Sequence, residues 1–173
     1  MATQLQNLNT EKKHFENIVP YLYPDINKRD KKLLDALLDD GIIEVSTALE
    51  KAQSKIGGHT HVSQHQGDLF RNGEYSDSKL STVRTSTYGT SYSAPVTNLA
   101  NKTGALRVQM YERKKDKFFY FVIPHHAYKH IPRTSNIEIP FELDGTPRRR
   151  PLRPVKVNWW QFEVLDFETM SKK

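Results

Sequence analysis

An α+β fold is predicted, with N-terminal helices followed by a mixed β-sheet. Three observations predict it. Leu33, Leu34, Leu37 and Leu38 recur at the spacing of an amphipathic helix. Asn72-Gly73 marks a tight hairpin turn, because both central residues of a type I′ turn need positive φ. Strand-like runs then follow from residue 105 onward. Helical patterns first and strand patterns after is the α+β order. The 173 residues fall within the size of one domain, and no internal repeat or second boundary interrupts them.

Residues 1–24 are read as an N-terminal segment. Phe15, Ile18 and Val19 suit a short helix, ended by Pro20 and Pro24. The next helix runs from Asp30 to Leu38 and closes at Gly41. Another starts at Ser46 or Thr47, continues through Ile56 and closes at Gly57-Gly58. His59 to His65 leads into the first arm of the hairpin, and the second arm runs through Val83. Residues 84–104 are rich in Ser, Thr, Tyr, Gly and Asn and read as a loop or flap with few core residues.

Ala105 to Tyr111 alternates apolar and polar, as a half-buried strand does. Phe118 to Ile123 is continuously apolar, so it should be a strand buried on both faces. Arg113 to Asp116 turns between them. Ile137 to Leu143 is a short strand, placed at an edge by Pro140. Residues 144–157 form an irregular basic arm, and Trp159, Trp160 and Phe162 dock the chain's last segment on the body.

The hairpin carries the chemistry. With Asn72-Gly73 as the turn, Arg71 faces Glu74, Phe70 faces Tyr75, Leu69 faces Ser76 and Asp68 faces Asp77. Two carboxylates directly opposite repel unless a cation sits between them. Lys79 lies two residues past Asp77 and so shares its face. Two acids and an amine on one face suit a divalent metal with a reactive water. The same residues would also be satisfied as a solvated ion-pair ladder on an edge strand.

The arrangement Asp68, eight residues, then Asp77-Ser78-Lys79 resembles the PD-(D/E)XK nuclease superfamily, which includes many type II restriction endonucleases. Gly67 stands where the name-giving proline often does, and the second acid is Asp rather than the commoner Glu. The resemblance covers about residues 40–125 and implies a restriction-endonuclease-like core. It implies Mg²⁺ held by Asp68 and Asp77, with the Ser78 carbonyl as a further ligand and Lys79 positioning the attacking water. It also implies an assisting acid from the preceding helix, for which Glu50 and Glu44 are candidates. For Glu50 a plain helix-surface charge is the competing reading. Small restriction enzymes usually act as homodimers on palindromic duplexes, so a homodimer is expected.

Charge points to the same partner. The formal net charge is +6 and the pI about 9.4, which suits double-stranded DNA. Arg107, Arg113, Lys114, Lys115 and Lys117 cluster near one turn, and Arg148, Arg149, Arg150, Arg153 and Lys156 form a second block. Arg84, Asn98, Asn101 and Lys102 in the loop region are further candidates for phosphate and base contacts.

The chain has no cysteine, so any metal is held by oxygen or imidazole and a reducing cytoplasm is expected. The start lacks the pattern of a signal peptide. No run approaches the apolar length of a membrane span.

Two other functions stay open. One is a non-catalytic nucleic-acid-binding protein that uses the basic blocks. The other is a hydrolase with a metal on the histidines His59, His61, His65, His125, His126 and His130. His65 should fall on the face opposite Asp68, while Gln66, opposite Lys79, is the better neighbour for the acids.

Overall fold

The Asn72-Gly73 turn forms as its sequence requires: φ is 53° at Asn72 and 78° at Gly73. In the computed structural model, which describes residues 4–85, 91–130, 136–149 and 158–173, it joins β2 (Gly67–Arg71) to β3 (Glu74–Thr82). The register pairs Leu69 with Ser76, Phe70 with Tyr75 and Arg71 with Glu74, as expected. Three helices precede this hairpin: α1 (Gln4–Leu22), α2 (Lys28–Asp39) and α3 (Val45–Gly57). Between α3 and the hairpin lies β1 (Thr60–Gln64), which pairs antiparallel with β2.

β3 changes partner along its length. It pairs antiparallel with β2 as far as Ser76, and from Asp77 onward it pairs parallel with β6 (Leu106–Glu112). β6 in turn pairs antiparallel with β7 (Lys117–Ile123), and β7 with the short β9 (Glu163–Val164). The result is a mixed six-stranded sheet in the order β1-β2-β3-β6-β7-β9, preceded by helices. This is the α+β class.

The sheet is covered on both sides. Period-two alternation sends Phe119, Phe121 and Ile123 of β7 into one core, and Phe118, Tyr120 and Val122 against the other. The second core is helical, built on Phe15, Ile18, Leu49 and Ala52, with Phe167 and Met170 from α5 (Phe167–Lys172). The first lies against a small sheet of β4 (Arg84–Thr85), β5 (Tyr92–Val96) and β8 (Ile137–Pro140). The short α4 (His125–Tyr128) supplies Tyr128 to that core, and Trp159 of a 3₁₀ turn over Trp159–Phe162 joins it.

Three expectations are corrected. Residues 84–104 are not a flap with few core residues, since they hold β4, β5 and the buried Tyr92, Ala94, Val96 and Leu99. Pairing with β8 satisfies the β5 backbone, and its alternate residues fill the core. α1 continues past Pro20 to Leu22, because a proline in the last turn removes only one helical bond; Pro24 lies just beyond the end.

β6 is buried on both faces rather than half-buried. Its polar residues are solvated by protein. Arg107 donates to Ser76 Oγ at 3.1 Å and to the Met170 carbonyl at 2.6 Å. Gln109 accepts from Asn17 Nδ2 at 2.9 Å, and its amide nitrogen lies 3.0 Å from His14 Nδ1. Glu112 accepts from the Lys114 and Lys115 N–H groups and from the Tyr92 hydroxyl. A covering layer on each side makes polar burial tolerable only when every group finds such partners.

Candidate active site

β3 positions the central residues by parity. Asp77, Lys79 and Ser81 point to the side of the small sheet, where Ser81 Oγ donates to the Pro95 carbonyl at 2.5 Å. Asp77 is 2% exposed. Its Oδ2 lies 2.7 Å from Lys79 Nζ, and its Oδ1 lies 3.1 Å from Lys102 Nζ. Oδ1 is buried, and the Lys102 ammonium is the cation that faces it. Lys79 also donates to the Asn98 carbonyl at 3.2 Å, which ties the strand to the loop that delivers Lys102.

Asp68 stands one register step beyond the last β2–β3 pair. Its Oδ2 accepts the Ser78 N–H at 3.4 Å. Burial pushes its carboxyl up to about 7, and the hydrogen bonds and charges of Asp77 and Glu50 push in the same direction. Glu50 thus approaches Asp68 from α3, the helix from which the resemblance implies an assisting acid. Its carboxylate is also 2.8 Å from His61 Nε2. Glu44 is elsewhere: it precedes α3 and accepts from Thr47 Oγ1 at 3.2 Å.

The site therefore unites Asp68, Asp77, Lys79 and Glu50 with Lys102 and His61. Lys102 was expected on DNA and instead faces the Asp77 carboxylate. His61 was expected with the histidines and instead caps Glu50. No local spacing ties either to the hairpin. Lys102 arrives on the crossover between β5 and β6, and His61 on a strand paired with β2.

Gln66 sits in the turn between β1 and β2, where its carbonyl accepts the Thr103 N–H at 3.4 Å. His65 shares that turn. The other histidines scatter. His59 is buried with Nε2 2.7 Å from the Ser171 carbonyl, and His125 and His126 lie on α4. Among the described residues no three His, Cys, Asp or Glu side chains stand together as a metal-holding group.

The acidic cluster still fits a hard divalent cation. Asp77 is a buried acceptor with an ammonium on each oxygen, Lys79 on Oδ2 and Lys102 on Oδ1, and burial pushes the neighbouring Asp68 carboxyl up to about 7. The carboxylate oxygens are the donors a hard divalent cation prefers. Asp68 and Asp77 are the residues that would hold Mg²⁺; of Ser78 the contact shown is its N–H on Asp68 Oδ2, and its carbonyl as a ligand stays an implication of the resemblance. Tyr128 borders the site: burial, with Asp77 nearby, pushes its hydroxyl up.

The basic residues divide. Arg84, Arg113, Lys115, Asn98 and Asn101 are exposed. Lys114 donates to the Leu143 carbonyl at 2.6 Å and lies 4.3 Å over the Tyr92 ring. Arg148 lies 3.5 Å from Glu142 and Arg149 3.0 Å from Glu163. Arg150 and Arg153 lie outside the described residues, as does Lys156. Arg107 is inside the fold, not in the basic cluster. Comparison with protein-family models, curated proteins and solved structures found no match for this chain.

Proposed function

We propose that this chain is a Mg²⁺-dependent endonuclease that hydrolyses phosphodiester bonds in double-stranded DNA, of the sequence-specific type II restriction kind and acting as a homodimer. The observation that carries the reading is the buried Asp77 with Asp68 across the hairpin and Lys79 on its own face. Glu50 from the preceding helix completes the set. A catalytic divalent ion supplies charge stabilisation at the scissile phosphate and acidifies a water.

The chain's own residues supply the rest. Asp68, whose carboxyl burial holds up, would have to give up its proton to serve as a ligand, so ion binding would be favoured by rising pH. Lys79 turns from Asp77 Oδ2 toward the attacking water and the phosphate, which it orients and partly neutralises. Lys102, on the other Asp77 oxygen, offers a second ammonium to the charge that develops on the leaving side. Glu50 holds His61 beside the acids, where the imidazole can accept a proton. The exposed Arg113 and Lys115 contact phosphates and set affinity rather than chemistry.

Incubation of the purified chain with supercoiled plasmid tests the reading. Nicking and linearisation with Mg²⁺, abolished by EDTA and by Asp77→Asn, are expected. Stoichiometric DNA binding with no cleavage across a set of plasmid and phage DNAs and divalent ions would leave a non-catalytic binding protein.

A further inference from the structure

The outer face of α2 is left uncovered by the body of the protein. Leu34 and Leu38 turn inward onto the helical core, yet Leu33 beside them is 59% exposed. Arg29, Leu33, Ala36 and Asp40 follow one another at steps of four, three and four residues, which places them on one stripe of the helix. All four are exposed. The same alternation of steps makes the seam of a two-helix coil. The flanking segments leave Tyr23 and Ile42 exposed too, at 46% and 68%.

The charges on α2 run largely against its dipole. Lys28 and Arg29 open the first turn, where only Asp30 has the favourable sign, and Asp39 and the C-cap Asp40 close the last. Helix ends are stabilised by acids at the start and bases at the finish. Asp39 is met by Lys12, and Asp35 by Lys31. Arg29 and Asp40 form no ion pair among the described residues. Each end of the stripe thus carries an unmatched charge, positive at one end and negative at the other.

A second copy of α2, laid antiparallel across a twofold axis, answers both features. The twofold reverses the stripe, so Arg29 meets the partner's Asp40 and Leu33 meets the partner's Ala36, with the reciprocal contacts beyond the axis. A large side chain then faces a small one, and each helix end lies beside the opposite pole of its neighbour. A lipid surface or a nucleic acid would attract the Lys28 to Lys32 end and repel the Asp39 and Asp40 end. A partner with the reverse charge order fits the whole stripe, and the chain's own α2 has that order.

We propose that α2 is a self-association surface, paired antiparallel with α2 of a second copy through Leu33 and Ala36 and held in register by Arg29 and Asp40. A standard interface buries about 800 Å² on each partner, more than three helical turns supply, so the dimer should dissociate in the micromolar range. This interface gives the homodimer of the proposed nuclease its surface, and to that extent it rests on that reading. No residue of the acidic site takes part.

Sedimentation velocity of the full chain from about 1 to about 100 µM tests the surface. A monomer–dimer equilibrium is expected. Leu33→Glu changes an exposed side chain, so the fold should persist by circular dichroism while the dimer is lost. Arg29→Asp and Asp40→Arg should each weaken the dimer by about tenfold or more, since each sets like charges face to face at both ends of the seam. The two reversals combined restore opposite signs and should return the dimer to within about threefold of wild type. They also serve if Leu33→Glu fails to fold. A chain that stays monomeric throughout, a dimer indifferent to a folded Leu33→Glu, or combined reversals that do not restore association would overturn the proposal. So would a monomer that cosediments with phosphatidylserine vesicles or binds duplex DNA through Leu33, which would give the face to that partner instead. A dimer that cleaves no DNA leaves this surface standing and counts against the nuclease reading, whereas a monomer that cleaves does the reverse.

Discussion

Lys102 stands 3.1 Å from Asp77 Oδ1, opposite the Lys79 ammonium at 2.7 Å from Oδ2. One nearly buried carboxylate thus sits between two ammoniums whose side chains are themselves only 15% and 13% exposed. Repulsion across the hairpin, expected from Asp68 facing Asp77, is relieved on one side by this pair of lysines. On the other side it is relieved by the proton that Asp68 retains.

The two acids should therefore respond oppositely to neutralisation. Asp77→Asn leaves two half-buried ammoniums without their partner and should destabilise the protein by roughly 3 kcal/mol. Asp68→Asn replaces a carboxyl that resists ionisation and should stabilise it at neutral pH. Both variants should lose Mg²⁺-dependent cleavage. Urea unfolding at pH 7 alongside a plasmid assay separates the effects. Destabilisation by both substitutions would mean that Asp68 is ionised and paired in the folded protein.

Stability should depend on pH in two opposite ways. Asp68 is raised from 3.8 to about 7, so its contribution is full below its unfolded value and is lost as pH rises through about 7. His14 and His59 are lowered from 6.5 to about 4, chiefly by burial. Their contribution is present above about 6.5 and is lost as pH falls through about 4. Unfolding of wild type and Asp68→Asn across this window gives the check. The variant's advantage should grow between about pH 4 and 7 and then level off. Mg²⁺ should remove that advantage in the wild type, because the cation replaces the proton.

The hairpin was legible because Asn-Gly fixes both turn type and register, and register alone brings Asp68, Asp77 and Lys79 together. Glu50 was legible as a helix residue ahead of the motif. Lys102 was not, since its place depends on how the β5–β6 crossover lies against β3. The small sheet was hidden for a related reason. Tyr92 to Val96 is short, serine-containing and interrupted by Pro95, and only pairing with β8 makes it a strand. Arg107, Gln109 and Glu112 gave β6 an alternating pattern that reads as one wet face. Their partners on α1, α5 and β5 come from distant parts of the chain, so no local signal announces the burial.

Lys79 and Lys102 should differ from the phosphate-binding cations in kinetics. Lys79→Ala should lower the single-turnover cleavage rate by orders of magnitude while duplex affinity changes little, since one charge is a small share of the phosphate contacts. Lys102→Ala should also lower the rate, but by less, because Lys79 remains. Equal losses in rate and affinity for either variant would mark that lysine as a phosphate clamp. Rates at saturating enzyme and binding in Ca²⁺ give the two readouts.

The last prediction concerns where DNA runs. Arg148 and Arg149 form ion pairs with Glu142 and Glu163, so each must give up an internal partner before it reaches a phosphate. Arg113 and Lys115 extend from the exposed β6–β7 turn, whose backbone is fixed by the Glu112 carboxylate. A rigid turn whose Arg113 and Lys115 form no ion pair among the described residues loses less on binding than an arm whose charges are already matched. Replacing Arg113 and Lys115 together with Ala should weaken duplex binding and flatten the log–log salt dependence by up to about 0.9 per lost phosphate contact. Replacing Arg148 and Arg149 should change the slope much less and cost a little stability instead. Fluorescence anisotropy across a salt series checks both. A larger slope change from the Arg148 and Arg149 pair would show that the arm exchanges its carboxylates for phosphates and that the DNA path follows it.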